Sequence, residues 1–294
     1  MISMLTSNST IGFIGTGVMG KSMAVNLQNA GFSLAVYTRT KEKAQGLVDN
    51  GANWKSTIAE LAVSADVIIT MVGYPSDVEE VYFGEGGILE NAAAGNYVID
   101  MTTSKPTLAE KIFKEAKARG IYALDAPVSG GDVGAKNASL AIMVGGEQQD
   151  FDAIAPLLHV MGNNVILQGA AGAGQHTKLA NQITIASTMV GVCEAIAYAR
   201  KSGLDPSRVL DSISTGAAGS FSLTKLAPRI LAGDFAPGFY VKHFIKDMTI
   251  ALESAEEMGM STPGLALSLE LYRELAEKGE EDSGTQALIK LFEE

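Results

Sequence analysis

Gly12-Phe13-Ile14-Gly15-Thr16-Gly17-Val18-Met19-Gly20 sets three glycines, Gly15, Gly17 and Gly20, in G-x-G-x-x-G order between an apolar run (11–14) and an amphipathic run (21–30). A strand that turns through such glycines into a helix makes a place for an anion. Gly15 permits the tight turn, Gly17 lets a pyrophosphate approach the main chain, and Gly20 lets helix and strand pack closely. The first helical turn adds N–H donors and the positive end of its dipole. Thr16, Val18 and Met19 ride on the same turn, so residues 15–20 are read together as the cradle of a dinucleotide. A merely tight β-α turn would use glycine in the same way; what favours the ligand is that strand and helix go on alternating downstream.

Short apolar runs recur at 34–37, 67–72, 97–100 and 122–125 between helical stretches, which predicts right-handed crossovers and a parallel sheet. Residues 139–144 and 165–167 read as two further strands in a mixed extension. After Gly172 no strand-like run follows, and the signals become helix starts and stops. A long apolar helix is expected over 174–202, ending at Gly203. Further helices are expected from Asp205-Pro206, from a cap at Ser220, over 247–258, and from Ser261-Thr262-Pro263, a capping residue followed by proline at the first helical position. The expectation is an α/β protein: a Rossmann-type doubly wound sheet over residues 1–172, then an all-α substrate and oligomerisation domain over 173–294, joined by the long helix.

Composition narrows the function. The 294 residues carry 22 Lys and Arg against 33 Asp and Glu, a net charge of −11, which would repel a nucleic acid at long range. Main-chain donors in the glycine turn resolve how so acidic a chain binds an anionic cofactor. The single cysteine, Cys193, can form no internal disulfide and reads as a small core residue, and the three histidines lack metal-ligand spacing, so no metal is expected. Residues 1–10 lack a secretory pattern and read as a loose start, and the apolar stretch 183–199 is broken by Thr184, Ser187, Thr188 and Glu194, so a buried helix is expected and no membrane span. A cytoplasmic protein follows from these readings.

The end of the second strand, Tyr37-Thr38-Arg39-Thr40-Lys41-Glu42-Lys43, discriminates between dinucleotides. An acid there would accept from a ribose 2′-hydroxyl and repel a 2′-phosphate. Instead Thr38, Arg39, Thr40 and Lys43 offer donors, so NADP(H) is expected over NAD(H), with NAD(H) still usable. Arg39 as a plain solvated charge is the alternative.

Two later segments bear on chemistry. Asp125-Ala126-Pro127-Val128-Ser129-Gly130-Gly131 follows a strand's C-terminal end, where Ser129, Gly130 and Gly131 expose a hydroxyl and unhindered N–H groups suited to a carboxylate. In the helix opened by Gly172-Ala173-Gly174-Gln175-His176-Thr177, residues Lys178, Asn181 and Gln182 stand at i, i+3 and i+4, sharing one face of an otherwise apolar helix. A lysine beside two amides on such a face is expected to line a polar cleft.

Taken together, the glycine-rich start, the D-A-P-V-S-G-G loop (125–131) and the G-x-G-x-x-x-K-x-x-N helix (172–181) resemble the β-hydroxyacid dehydrogenase family, from Ile11 nearly to the C-terminus. The resemblance implies hydride transfer between a nicotinamide and a small hydroxy- or oxo-acid, with Lys178 as proton donor and Asn181 beside it. It also implies Thr103 and Lys246 as cofactor contacts. Val72-Gly73 stands where many members carry Leu-Pro. Asn181-Gln182 and Thr38-Arg39-Thr40 resemble the aldehyde-acid reductases of the family. The expected activity is therefore NADPH-dependent reduction of a carboxylate-bearing aldehyde, a semialdehyde or glyoxylate. The alternatives are an NAD-dependent 3-hydroxyisobutyrate-type dehydrogenase, an imine reductase, and a non-catalytic dinucleotide-binding protein. A homodimer or homotetramer is expected.

Overall fold

The computed structural model describes residues 9–293; most of the expected loose start lies outside the described residues. Six strands run parallel: β1 (Thr10–Ile14), β2 (Ser33–Tyr37), β3 (Asn53–Trp54), β4 (Val67–Thr70), β5 (Tyr97–Asp100) and β6 (Tyr122–Asp125), in the order β3-β2-β1-β4-β5-β6. The order reverses between β1 and β4, and ligands of doubly wound sheets bind at the carboxyl ends of the strands beside such a reversal. Both faces are covered, as a parallel sheet requires. Ile11, Phe13, Val36, Val67 and Ile69 enter one core, and Ile14, Ala35, Ile68 and Val98 the other.

The mixed extension consists of β7 (Val128–Ser129), β8 (Leu140–Gly145) and β9 (Gly162–Gly169). β8 pairs antiparallel with β6 and β7, and parallel with β9. Strands β3 and β7 were not anticipated. Two residues are too few to show a period, and Val128–Ser129 is a strand only because Ile142 and Ala141 lie opposite.

The helical half is built on the helix Ala173–Lys201, followed by Pro206–Ile213, Ser222–Leu226, Ala227–Leu231, Val241–Glu257 and Pro263–Leu275. Asp205 caps as expected, accepting from Ser207 N–H at 2.9 Å, and Ser220 Oγ accepts from Leu223 N–H at 3.0 Å. Two details differ. Helix Val241–Glu257 begins six residues before Asp247, because burial of Val241 and Phe244 overrides the weak helix preference of a β-branched and aromatic start. Thr262 holds the N-cap position without a side-chain capping bond, its carbonyl accepting from Ala266 N–H while its Oγ1 is buried without a partner.

By length and mean hydropathy Ala173–Lys201 qualifies as a possible membrane span. Its apolar residues Ala186, Met189, Cys193, Ile196 and Ala199 are nevertheless buried, most of them in the helical core with Phe244, Met248 and Tyr272. Burial pushes the Cys193 thiol up to about 12, which leaves it inert. The chain divides into two compact units within this helix, one ending at Lys178 and the other starting at Leu179.

Candidate active site

The glycines of the first turn have three different reasons to be glycine. Gly15 has φ +96°, and a Cβ there would overlap the Met71 carbonyl. A Cβ on Gly20 would overlap the Gly15 carbonyl, which keeps helix Val18–Asn29 against β1. At Gly17 a Cβ would meet nothing within 4 Å, so this position faces open space at a helix N-terminus that no side chain caps. The half-exposed Val18 and the partly buried Met19 continue the turn, while Thr16 is buried with its Oγ1 unpartnered. An uncapped helix start reached only by a bare main chain fits a pyrophosphate.

At the end of β2, Thr38 is half-buried and Arg39, Thr40 and Lys43 are exposed around the turn Lys41–Ala44. Arg39 has a partner that spacing did not reveal: its guanidinium donates to Asp77 Oδ1 at 3.1 Å, while Asp77 Oδ2 accepts from Tyr74 N–H. With the Arg39 side chain 77% exposed, this pair contributes little to stability. Beside it Tyr37 stacks on Trp54, over which Lys41 lies at 5.7 Å.

The segments after β4 and β5 are tied together. Val72 N–H donates to Thr102 Oγ1 (3.0 Å), and Thr102 N–H and Thr70 Oγ1 both donate to Asp100 Oδ1 (3.1 and 2.8 Å). Val72, Gly73 and Thr103 are half-buried along these segments. Burial raises the Asp100 carboxyl to about 6 against the pull of those donors. In register beside it on β6, Asp125 accepts from Gly172 and Gln175 N–H, each at 2.8 Å, and burial raises its carboxyl too.

Ser129 ends β7 half-buried, and Gly130 and Gly131 follow with φ +132° and +64°, a conformation side chains rarely adopt. Gly130 opens the short helix Gly131–Lys136 without a side-chain cap.

Lys178 is only 7% exposed, Gln182 is fully buried and Asn181 half-buried on the long helix. Asn181 Nδ2 donates to Gln182 Oε1 (2.8 Å), Gln182 Nε2 donates to Asp247 Oδ2 (2.6 Å), and Lys246 Nζ lies 2.9 Å from Asp247 Oδ1, an ion pair without hydrogen-bond geometry. Asp247 removes the usual ambiguity of amide orientation. An ionised carboxylate only accepts, so Gln182 must turn its NH2 toward it and its oxygen toward Asn181, which in turn must donate its NH2. Asn181 is thereby left presenting Oδ1. Sequence reasoning paired Lys246 with Asp247 but gave a role to the lysine alone; an acid beside a lysine in an apolar helix was the available signal for the other.

His159 and His176 are exposed, and burial lowers the proton affinity of His243. Among the described residues no group of three or more His, Cys, Asp or Glu is placed to hold a metal.

Residues 10–172 match the family described as the NAD binding domain of 6-phosphogluconate dehydrogenase, and 172–292 the one described as NAD-binding of NADP-dependent 3-hydroxyisobutyrate dehydrogenase. The chain belongs to the β-hydroxyacid dehydrogenase family. Within it, the chain is 64% identical to the uncharacterized oxidoreductase YkwC of Bacillus subtilis over 96% of this chain and 98% of that one. It is 37% identical to the 2-hydroxy-3-oxopropionate reductase of Escherichia coli, covering 96% and 97%. Among solved structures, the 3-hydroxyisobutyrate dehydrogenase of Mycobacterium tuberculosis with L-serine superposes with a TM-score of 0.89 at 30% identity, over 98% of this chain and 100% of that chain. As a β-hydroxyacid dehydrogenase, the protein is an NAD(P)-dependent oxidoreductase.

Proposed function

We propose that this family member reduces a small carboxylate-bearing aldehyde, a semialdehyde or glyoxylate, to the hydroxyacid with NADPH, and that Lys178 is the general acid. The observation that carries the reading is a lysine buried to 7% exposure one helical turn from Asn181 and Gln182. The bound dinucleotide supplies a hydride from the nicotinamide C4. Lys178, in its protonated form, polarises the carbonyl oxygen and then gives it a proton. The reverse oxidation needs a lysine working as base, some 2–3 pH units below its ordinary range, at a cost of roughly 3–4 kcal/mol.

In this reading Asn181 Oδ1 accepts from the Lys178 ammonium or from the nascent hydroxyl, and Gln182 holds Asn181 in that orientation. Ser129 Oγ and the main-chain N–H groups of Gly130 and Gly131 bind the substrate carboxylate. Residues Gly15 to Gly20 hold the pyrophosphate, Thr38, Arg39, Thr40 and Lys43 the 2′-phosphate, and Val72, Gly73, Thr103 and Lys246 the nicotinamide side. The relative named 2-hydroxy-3-oxopropionate reductase supports the aldehyde-acid class. Exposed apolar residues of the helical half, Tyr198, Phe221, Met258 and Leu267, support a homodimer or homotetramer, here assigned to the cytoplasm.

One observation favours a second reading, an NAD-dependent 3-hydroxyisobutyrate-type dehydrogenase: Asp77 already occupies Arg39 and adds negative charge where a 2′-phosphate would sit. The test is NADPH and NADH oxidation against glyoxylate and succinic, tartronate and methylmalonate semialdehydes. NADPH turnover with at least one of them is expected. A tenfold preference for NADH would favour the second reading, and no activity with any of them would remove the first.

A further inference from the structure

Gln175 sits three residues before Lys178 on the long helix and is fully buried, with both ends of its side chain engaged. Its Oε1 accepts from Ser104 N–H at 2.9 Å and its Nε2 donates to Thr102 O at 2.7 Å. A planar amide that grips one N–H and one C=O two residues apart pairs with that segment as an adjacent strand would. The first turn of the helix is thereby fastened to the residues bracketing Thr103. Its main chain is fastened as well, through Gly172 and Gln175 N–H to Asp125. Close approach is required for this: a Cβ on Gly145 would overlap Asp125 Oδ1, and one on Gly174 would overlap the Met143 carbonyl. The gripped segment is itself held, since Thr102 binds Asp100 and Val72.

We infer that Gln175 is a positioning residue for the reaction, fixing the separation between Lys178 and the Thr102–Ser104 segment through one donor and one acceptor. The inference rests on Lys178 as proton donor. Few side chains can replace this one. Glutamate has the right length, but its ionised form sets an oxygen against the Thr102 carbonyl with no proton between them. Protonated glutamate restores the donor, O–H to Thr102 O, while its other oxygen still accepts from Ser104. Methionine has the length and neither group.

The test uses the full chain with saturating NADPH and the best aldehyde-acid substrate, comparing wild type, Gln175→Met and Gln175→Glu between pH 5.5 and 9, each with and without Lys178→Ala. Asp100 and Asp125 titrate beside this contact in every variant, so each profile is divided by that of the wild type. Gln175→Met is expected to lower kcat at least 30-fold across the range while the Kd for NADPH changes less than fivefold. Gln175→Glu should match it at pH 9 and recover at least fivefold at pH 5.5, a proton rescue that a purely structural role would not produce. Where Gln175→Met does not fold, the Gln175→Glu profile decides. A kcat within threefold of wild type for Gln175→Met, a loss confined to KM, or a Gln175→Glu profile of wild-type shape overturns the inference. In the Lys178→Ala background Gln175→Met should cost less than a further threefold. A persisting 30-fold loss there overturns the inference, whereas Lys178→Ala retaining more than a tenth of turnover overturns the assignment of the lysine.

Discussion

In the sheet-bearing half the buried carboxylates Asp100 and Asp125 accept from hydroxyl and main-chain N–H groups, whereas in the helical half the buried Asp247 faces the ammonium of Lys246 at 2.9 Å. Neutral donors fix geometry but leave burial the larger effect, so both Asp100 and Asp125 hold protons more tightly than usual. Asp247, beside a cation, instead accepts from Gln182 Nε2, and that direction carries on through Gln182 to Asn181. The first arrangement shapes a segment; the second polarises one.

Under the proposed mechanism Lys178 is the proton donor, so removing it is expected to have the largest effect. Lys178→Ala should lower kcat by 100-fold or more while the Kd for NADPH, read by its fluorescence, moves less than threefold; general acids contribute about 10²–10⁴-fold. Next comes Asp247→Asn, which lets Gln182 and Asn181 flip and takes the Asp247 carboxylate away from the half-buried Lys246. Removing one partner of a buried pair costs about 3–5 kcal/mol, so a fall in Tm of several degrees is expected together with a 10- to 100-fold loss of kcat. Adding Lys246→Met should restore the Tm and not the turnover, because it removes the unbalanced charge but leaves the amides free to flip and takes away a proposed nicotinamide contact. If turnover returned as well, the polarising role of Asp247 would be wrong.

A more selective effect, confined to one cofactor and without a fall in Tm, is expected at the strand end. Losing a charge-assisted hydrogen bond worth ~1.5–3 kcal/mol, Arg39→Glu should cut kcat/KM for NADPH by about 10- to 100-fold, with NADH unchanged or improved. Equal losses with both cofactors would show Arg39 to be a solvated charge with no part in selection.

What could be read from the sequence divides along the same physical line. The glycine turn was legible because Gly15, Gly17 and Gly20 act through their own backbone, and the Lys178–Asn181–Gln182 face because helical spacing is local. The residues that orient them were not. Gln182 reaches Asp247 across 65 positions, Asp125 reaches Gly172 across 47, Gln175 reaches Ser104 across 71, and Arg39 finds Asp77 across 38. Such partners are chosen by the closed sheet and the packed helices, and no periodicity records them. The same holds for β3 and β7, which are strands by virtue of their neighbours.

The smallest expected effect separates the two neighbouring carboxylates of the sheet. Thr70 Oγ1 and Thr102 N–H both donate to Asp100 Oδ1, so asparagine can keep these two with its own oxygen. Asp125 uses Oδ1 for Gly172 and Oδ2 for Gln175, so asparagine must turn an NH2 toward one N–H. A carboxyl raised from 3.8 to about 6 makes the native state bind more protons than the unfolded one between those values. Stability contributed by protonated Asp100 is therefore present below pH 4, is lost as pH rises to about 6, and changes no further above it. Replacing it by a neutral amide removes an ionisation cost on the order of 3 kcal/mol, part of it shared with Asp125. Asp100→Asn is expected to raise Tm at pH 7.5 by about 2–6 °C and to flatten the decline between pH 4 and 6, while Asp125→Asn lowers Tm at every pH. Thermal melts at pH 4, 6 and 7.5 check both. Should Asp100→Asn destabilise as much as Asp125→Asn, the carboxylate at 100 would be needed for its charge, and the contrast between shaping and polarising carboxylates would not hold.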